Sequence, residues 1–234
     1  NNNRSKAYLQ NLINNNFIPS KVIFLNNNNT TLVEHTENDK LISKNSNQIF
    51  IRKLDDLKIS FDEKEHILKT IQKYKIKFIE VNNSNINSKE VVNEVANIKD
   101  EYIVYSGPSS SILSKEILSQ NKKFIHVHPG LLPKFRGSTT IYYSLLSKSK
   151  IGCSVIFLEE GIDKGPILYK KDYHIKEKDI DFDYVLDPLI RTKTLIEFFQ
   201  KKKINPVKQN RDEQQITFYI IHPVLKHLSI YNYN

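Results

Sequence analysis

The segment Lys123-Phe124-Ile125-His126-Val127-His128-Pro129-Gly130-Leu131-Leu132-Pro133-Lys134-Phe135-Arg136-Gly137 joins an apolar run to a loop bounded by proline and glycine. Phe124, Ile125 and Val127 favour a strand over Lys123–Val127, and Pro129-Gly130 stops it. Side chains two apart on a strand face the same way. His126 and His128 are therefore expected to project together from the carboxyl end, where an open α/β sheet gathers its functional groups.

Outward from this strand, short β-branched runs predict others at Lys21–Leu25, Ile76–Val81, Tyr102–Tyr105, Gly152–Leu158 and Pro166–Tyr173. Helical periodicity predicts helices at Lys6–Asn14, Asp62–Lys73, Lys89–Ile98, Ser111–Gln120 and Thr139–Ser147. A longer helix is expected over Asp183–Lys201, where Leu186, Ile190, Thr194 and Phe198 recur on one face. This alternation predicts an α/β architecture, a Rossmann-like mixed, mostly parallel sheet with helices on both faces. Residues 1–205 are expected to form the catalytic domain and 206–234 a C-terminal tail with a hairpin-like piece at Ile216–Ile221. Such a fold places a strand before the Lys6 helix, where only Asn1–Ser5 stand. Either that strand lies outside this sequence or the sheet begins differently.

The chain has 234 residues, 39% hydrophobic and 26% charged, which is ordinary for a globular enzyme. No apolar run reaches the roughly 20 residues a bilayer requires, and no signal peptide opens the sequence. The single cysteine, Cys153, falls in a predicted buried strand and reads as core. A cytoplasmic location is the expectation, without a membrane partner. The net charge of +9 could draw phosphate groups. The basic residues are scattered rather than striped, however, so no nucleic-acid partner is expected.

All six glycines fall between Gly107 and Gly165. Glycine serves where backbone turns tightly or approaches another group closely. Besides the His126–Gly137 loop, this region holds Glu159-Glu160-Gly161-Ile162-Asp163-Lys164-Gly165-Pro166-Ile167-Leu168, whose composition alone describes a solvated turn. The His-x-His pair alone reads as satisfied histidines or as half of a metal site. A metal needs a third ligand, and none follows at a suggestive spacing, so no metal is expected.

Together the two loops resemble the formyltetrahydrofolate-dependent formyltransferase family, which includes glycinamide ribonucleotide transformylase, methionyl-tRNA formyltransferase and the sugar N-formyltransferases. That family carries Asn-x-His-Pro at a strand end, then Ser-Leu-Leu-Pro and an aromatic-Arg-Gly. Downstream it has an acidic-Gly-x-Asp-x-Gly-Pro-Ile loop. Here the corresponding stretches are His126–Gly137 and Glu160–Leu168, and the resemblance runs from Tyr102 to Gln200.

The resemblance implies 10-formyltetrahydrofolate as formyl donor, with His128 and Asp163 as the catalytic histidine and aspartate. His126 stands where the family has an asparagine that helps hold the formyl oxygen as it becomes an oxyanion. An imidazole can also donate a hydrogen bond there. Gly130 replaces the family's serine and is expected to leave a substrate more room. Folate contacts are implied for Ser106, Gly107, Pro108, Gly161 and Ile162, and acceptor contacts for Lys134, Arg136 and Tyr142. Formyl transfer to an amine passes through a tetrahedral intermediate with a negative oxygen and a positive nitrogen, so the site must stabilise one and deprotonate the other. An imidazole whose pKa is raised by a carboxylate suits both tasks.

Among the family's branches, methionyl-tRNA formyltransferases carry a C-terminal tRNA-gripping domain that residues 202–234 are too few to form. Glycinamide ribonucleotide transformylase normally has a glycine-rich phosphate loop near its start, and no glycine precedes Gly107. The expected acceptor is thus a small amino sugar, probed as a nucleotide-linked one, and the tail at Phe218–Val224 looks like that of sugar-modifying relatives. A homodimer is an open assembly state. A formyltetrahydrofolate hydrolase, a glycinamide ribonucleotide transformylase-like enzyme and an inactive folate- or sugar-binding relative are the alternatives.

Overall fold

The computed structural model describes residues 2–26, 50–107, 111–177, 179–201, 203–210 and 216–233. Helix α1 (Asn3–Asn14) starts at Asn2, whose side chain accepts from the Ser5 amide, a typical N-cap. Its Ala7, Tyr8, Leu9, Asn11, Leu12 and Ile13 are buried. Strand β1 (Lys21–Leu25) then pairs in parallel with β4 (Lys77–Val81). Between them in sequence, β2 (Ile51–Leu54) and β3 (Ile59–Asp62) form an antiparallel hairpin, followed by α2 (Ile67–Lys73).

The main sheet has four strands in the order β5 (Tyr102–Val104), β6 (Lys123–His128), β8 (Ile151–Phe157) and β9 (Ile167–Tyr173). β5 runs parallel to β6, whereas β6–β8 and β8–β9 are antiparallel. All seven residues of β8 are buried, which explains its unbroken apolar run, since a strand covered on both faces has no polar side. Helix α6 (Asp187–Gln200) packs across β6, β8 and β9 and against α1. Helices α3 (Lys89–Ala96), α4 (Lys115–Leu118) and α5 (Thr140–Leu146) complete the covering layers. The fold is the mixed α/β, Rossmann-like arrangement expected, with its antiparallel half beside the His126–Gly137 loop.

Several boundaries differ from the sequence expectation. The helix expected at Asp62–Lys73 begins only at Ile67, because Asp62 pairs with Ile51 at the end of β3. Ser111–Gln120 contributes helix only over Lys115–Leu118, capped by Ser114. Asp183–Lys201 divides into a π-helical turn at Phe182–Leu186 and α6, with Pro188 in the first turn of α6. The hairpin expected at Ile216–Ile221 is absent. Thr217–Phe218 (β10) pairs in parallel with Arg136–Gly137 (β7), and Pro223–Tyr231 forms helix α7, which starts with Pro223 behind an N-capping His222.

The described residues contain no strand before α1. β1 and β5 both line a cavity of about 880 Å³ that also takes in Tyr8, Leu12 and Phe124. It follows strand edges and does not include His128 or Asp163. Among the described residues, no helix is long and apolar enough to cross a membrane.

Candidate functional site

β6 ends in His128, and its neighbour β8 places Ser154 opposite. Ser154 fixes the turn that follows, accepting from the Leu132 amide at 3.0 Å and donating to the Gly130 carbonyl at 2.7 Å. Thr140, at the start of α5, donates to the Pro129 carbonyl at 2.5 Å. A Cβ on Gly130 would lie 2.7 Å from the Phe135 carbonyl oxygen and 2.8 Å from His128 Nε2. The expectation of more substrate room at Gly130 is therefore corrected: protein atoms fill that space, and glycine lets the loop fold back onto the histidine.

His128 is 2% exposed. Its Nε2 lies 2.7 Å from the Phe135 carbonyl oxygen, which makes Nε2 the donor. Its Nδ1 lies 3.3 Å from Asp163 Oδ2. Asp163 sits at φ +50, a left-handed conformation that aspartate tolerates better than most residues. Its Oδ2 also accepts from the Gly137 amide at 2.9 Å. The two loops singled out in the sequence thus meet through one carboxylate.

His126 lies on the same face of β6, with a half-buried ring whose Nδ1 is shut from solvent and has no hydrogen-bond partner. Burial holds its pKa well below the ordinary histidine value, helped by the positive charges of Arg191 and Arg4 and opposed by a hydrogen bond with the Tyr105 backbone. Burial also lowers His128, against the pull of Asp163 and of its hydrogen bond to Phe135. The carboxylate was expected to raise this histidine; desolvation of a fully enclosed ring outweighs it. Below the histidines, Arg191 donates from Nη1 to the Val127 carbonyl at 3.0 Å and pairs through Nε with Asp187 at 2.8 Å. Burial opposes its charge, but Asp187 and neighbouring groups leave its pKa raised.

The other expected contacts are distributed unevenly. Gly161 and Ile162 are exposed on the Asp163 loop. The Ser106 and Gly107 carbonyls already accept hydrogen bonds from Ser5 and Arg4 of α1, and Pro108 lies outside the described residues. Lys134 is exposed and reaches Ser149 at 3.1 Å. Arg136 is buried and donates through Nη2 to Gln209 at 2.9 Å. Tyr142 is not brought to the site: its ring is buried against Phe182 and its hydroxyl donates to Asp183 at 2.6 Å.

Gln209 carries no sequence signal of its role. Its Nε2 donates to the carbonyls of Asp163 and Gly165, each at 2.7 Å. Phe218 packs against Phe135 and Tyr143 with ring centroids 5.9 and 4.4 Å apart. Gln209 and Phe218 thus bind the part of the chain after residue 205 to the Asp163 loop and to the His126–Gly137 loop. No local pattern marks either residue, because each acts through a partner far away in sequence.

The sequence pattern of the formyl transferase family matches residues 20–185, and the chain belongs to that family. It is 33% identical over 136 residues to methionyl-tRNA formyltransferase of Clostridium acetobutylicum, covering 54% of this chain and 43% of that one. It is 32% identical over 144 residues to the same enzyme of Campylobacter lari, covering 57% and 47%. The matched part thus spans less than half the length of these curated relatives. In fold it is similar to the formyltransferase PseJ from Anoxybacillus kamchatkensis, solved in complex with UDP-4,6-dideoxy-4-formamido-L-AltNAc and tetrahydrofolate. That match has a TM-score of 0.50, 14% identity and 86% coverage of each chain.

Proposed function

We propose that this protein transfers a formyl group from 10-formyltetrahydrofolate to the amine of an amino sugar. The observation that carries the reading is the contact of His128 Nδ1 with Asp163 Oδ2 at 3.3 Å, formed by two loops that match the family pattern. The reduced folate supplies the formyl carbon. His128, kept neutral by burial, takes the proton released as the amine nitrogen becomes acylated, and Asp163 stabilises the resulting imidazolium. His126 donates to the formyl oxygen as negative charge develops on it. Gly161 and Ile162, exposed next to Asp163, are the first residues of this loop a bound folate would meet.

For the acceptor, the scatter of basic residues over the chain and the Phe218–Val224 sequence favour a small amino sugar, and the PseJ ligand is a UDP-linked formamido sugar. A second reading, formylation of charged tRNA, is favoured by the names of the curated relatives. Release of tetrahydrofolate, followed with a panel of nucleotide-linked amino sugars and with methionyl-tRNA, separates the two. The sugar reading expects saturable turnover with a sugar and little tRNA affinity at physiological salt. Binding of tRNA that falls steeply with salt, together with its formylation, would establish the second reading instead.

A further inference from the structure

Two histidines two residues apart need a third donor before they can hold a metal, and the fold supplies it. One ring nitrogen of His126, one of His128 and one Asp163 oxygen lie within 4.8 Å of one another, the only such trio found among the described residues. We infer that these three residues form a binding site for a divalent transition metal of the zinc type, and that histidine at position 126 creates it.

The geometry of each donor supports this. His128 spends the proton on Nε2 against the Phe135 carbonyl, so in the neutral ring Nδ1 presents a lone pair. That lone pair faces the Asp163 carboxylate across 3.3 Å. Two electron-rich atoms at this distance call for a cation between them, and a metal ion meets the need as well as a proton does. His126 contributes one ring nitrogen to the trio, and its Nδ1 is buried without a hydrogen bond of normal geometry, a state that a bound ion can satisfy. Zinc bonds of about 2.0–2.2 Å set neighbouring donors roughly 3–3.5 Å apart, so from at most 4.8 Å a side-chain shift of at most roughly 1.3–1.8 Å closes the set. Two ligands are also held by other contacts, His128 through Nε2 by the Phe135 carbonyl and Asp163 through Oδ2 by the Gly137 amide. Such outer contacts orient ligands in established metal centres.

A pair of imidazoles with one carboxylate leaves open positions and suits zinc, cobalt(II), nickel(II) or iron(II). An asparagine at position 126 would offer only a weakly donating amide. Metal held here would engage the His128 nitrogen that formyl transfer needs, so it would inhibit; only this consequence rests on the proposed reaction.

The test uses the metal-stripped full chain, with cobalt(II) as a visible probe and zinc as its competitor. We expect one equivalent of cobalt with visible absorption bands, displaced by one equivalent of zinc. X-ray absorption of the zinc-loaded wild type should count two imidazoles. The chain has seven histidines, so surface binding through a single imidazole is the main competitor. His126→Asn should weaken zinc binding by at least ~100-fold, the upper end of what losing an outer contact costs, with circular dichroism confirming its fold. No binding at micromolar metal, fewer than two imidazoles, or wild-type affinity in a folded His126→Asn would each overturn the inference. None of these measurements needs folate or acceptor, so failure here is distinct from failure of the proposed reaction.

Discussion

Gln209 donates to the Asp163 carbonyl at 2.7 Å, so a residue beyond the last long helix holds the backbone whose carboxylate meets His128. Through its other amide atom it accepts from Arg136 at 2.9 Å. One side chain thereby ties the Asp163 loop to the Arg136–Gly137 strand. Gln209→Ala is expected to lower kcat by about 10- to 100-fold, since misplacing a catalytic group by about 1 Å can cost that much. KM for the folate donor should change little. A purely structural role would lower the melting temperature while leaving kcat per folded molecule unchanged.

Position 126 separates oxyanion stabilisation from proton transfer. His126→Ala should lose about 100-fold or more in kcat, as expected when a donor to a developing oxyanion is removed. His126→Asn should retain part of the activity, because an amide can donate in the same direction. A wild-type rate in His126→Ala would assign the donor to a backbone amide instead.

Gly165 answers to packing and not to chemistry. A Cβ there would fall 1.8 Å from the Phe157 carbonyl oxygen, and main chain cannot yield as a flexible side chain does. Gly165→Ala should destabilise the protein by about 1–3 kcal/mol, the usual range for overpacking. Denaturant unfolding with an unshifted midpoint would show that the loop lies elsewhere.

Cys153, the only cysteine in the chain, is fully buried in β8, and burial pushes its thiol pKa up to about 12. At pH 8 it should not react with a thiol reagent in the native state, and one equivalent should react after unfolding. Rapid native labelling would contradict the packing of β8.

The sequence exposed those parts of the fold in which local pattern and burial agree. β8 reads as a strand because all seven of its residues are enclosed, and His126 and His128 share a face because strand geometry alternates. The Asp163 loop needed the family resemblance, because its composition alone describes a turn. What stayed hidden was decided by distant partners. Asp62 reads as the start of a helix, yet it ends β3 by pairing with Ile51. Thr217–Phe218 became a strand by pairing with Arg136–Gly137, and Tyr142 was drawn into the core by Asp183 and Phe182. Asp163 as a third potential metal ligand was equally invisible, lying 35 residues beyond His128 in sequence and 3.3 Å away in space.

In the proposed reaction the His128–Asp163 pair carries formyl transfer. Its most direct test is amine-dependent release of tetrahydrofolate from 10-formyltetrahydrofolate, measured for wild type, His128→Ala and Asp163→Ala after each variant is shown to be folded. Turnover is expected in wild type, and its loss in both variants. Turnover comparable to wild type in either folded variant would contradict it.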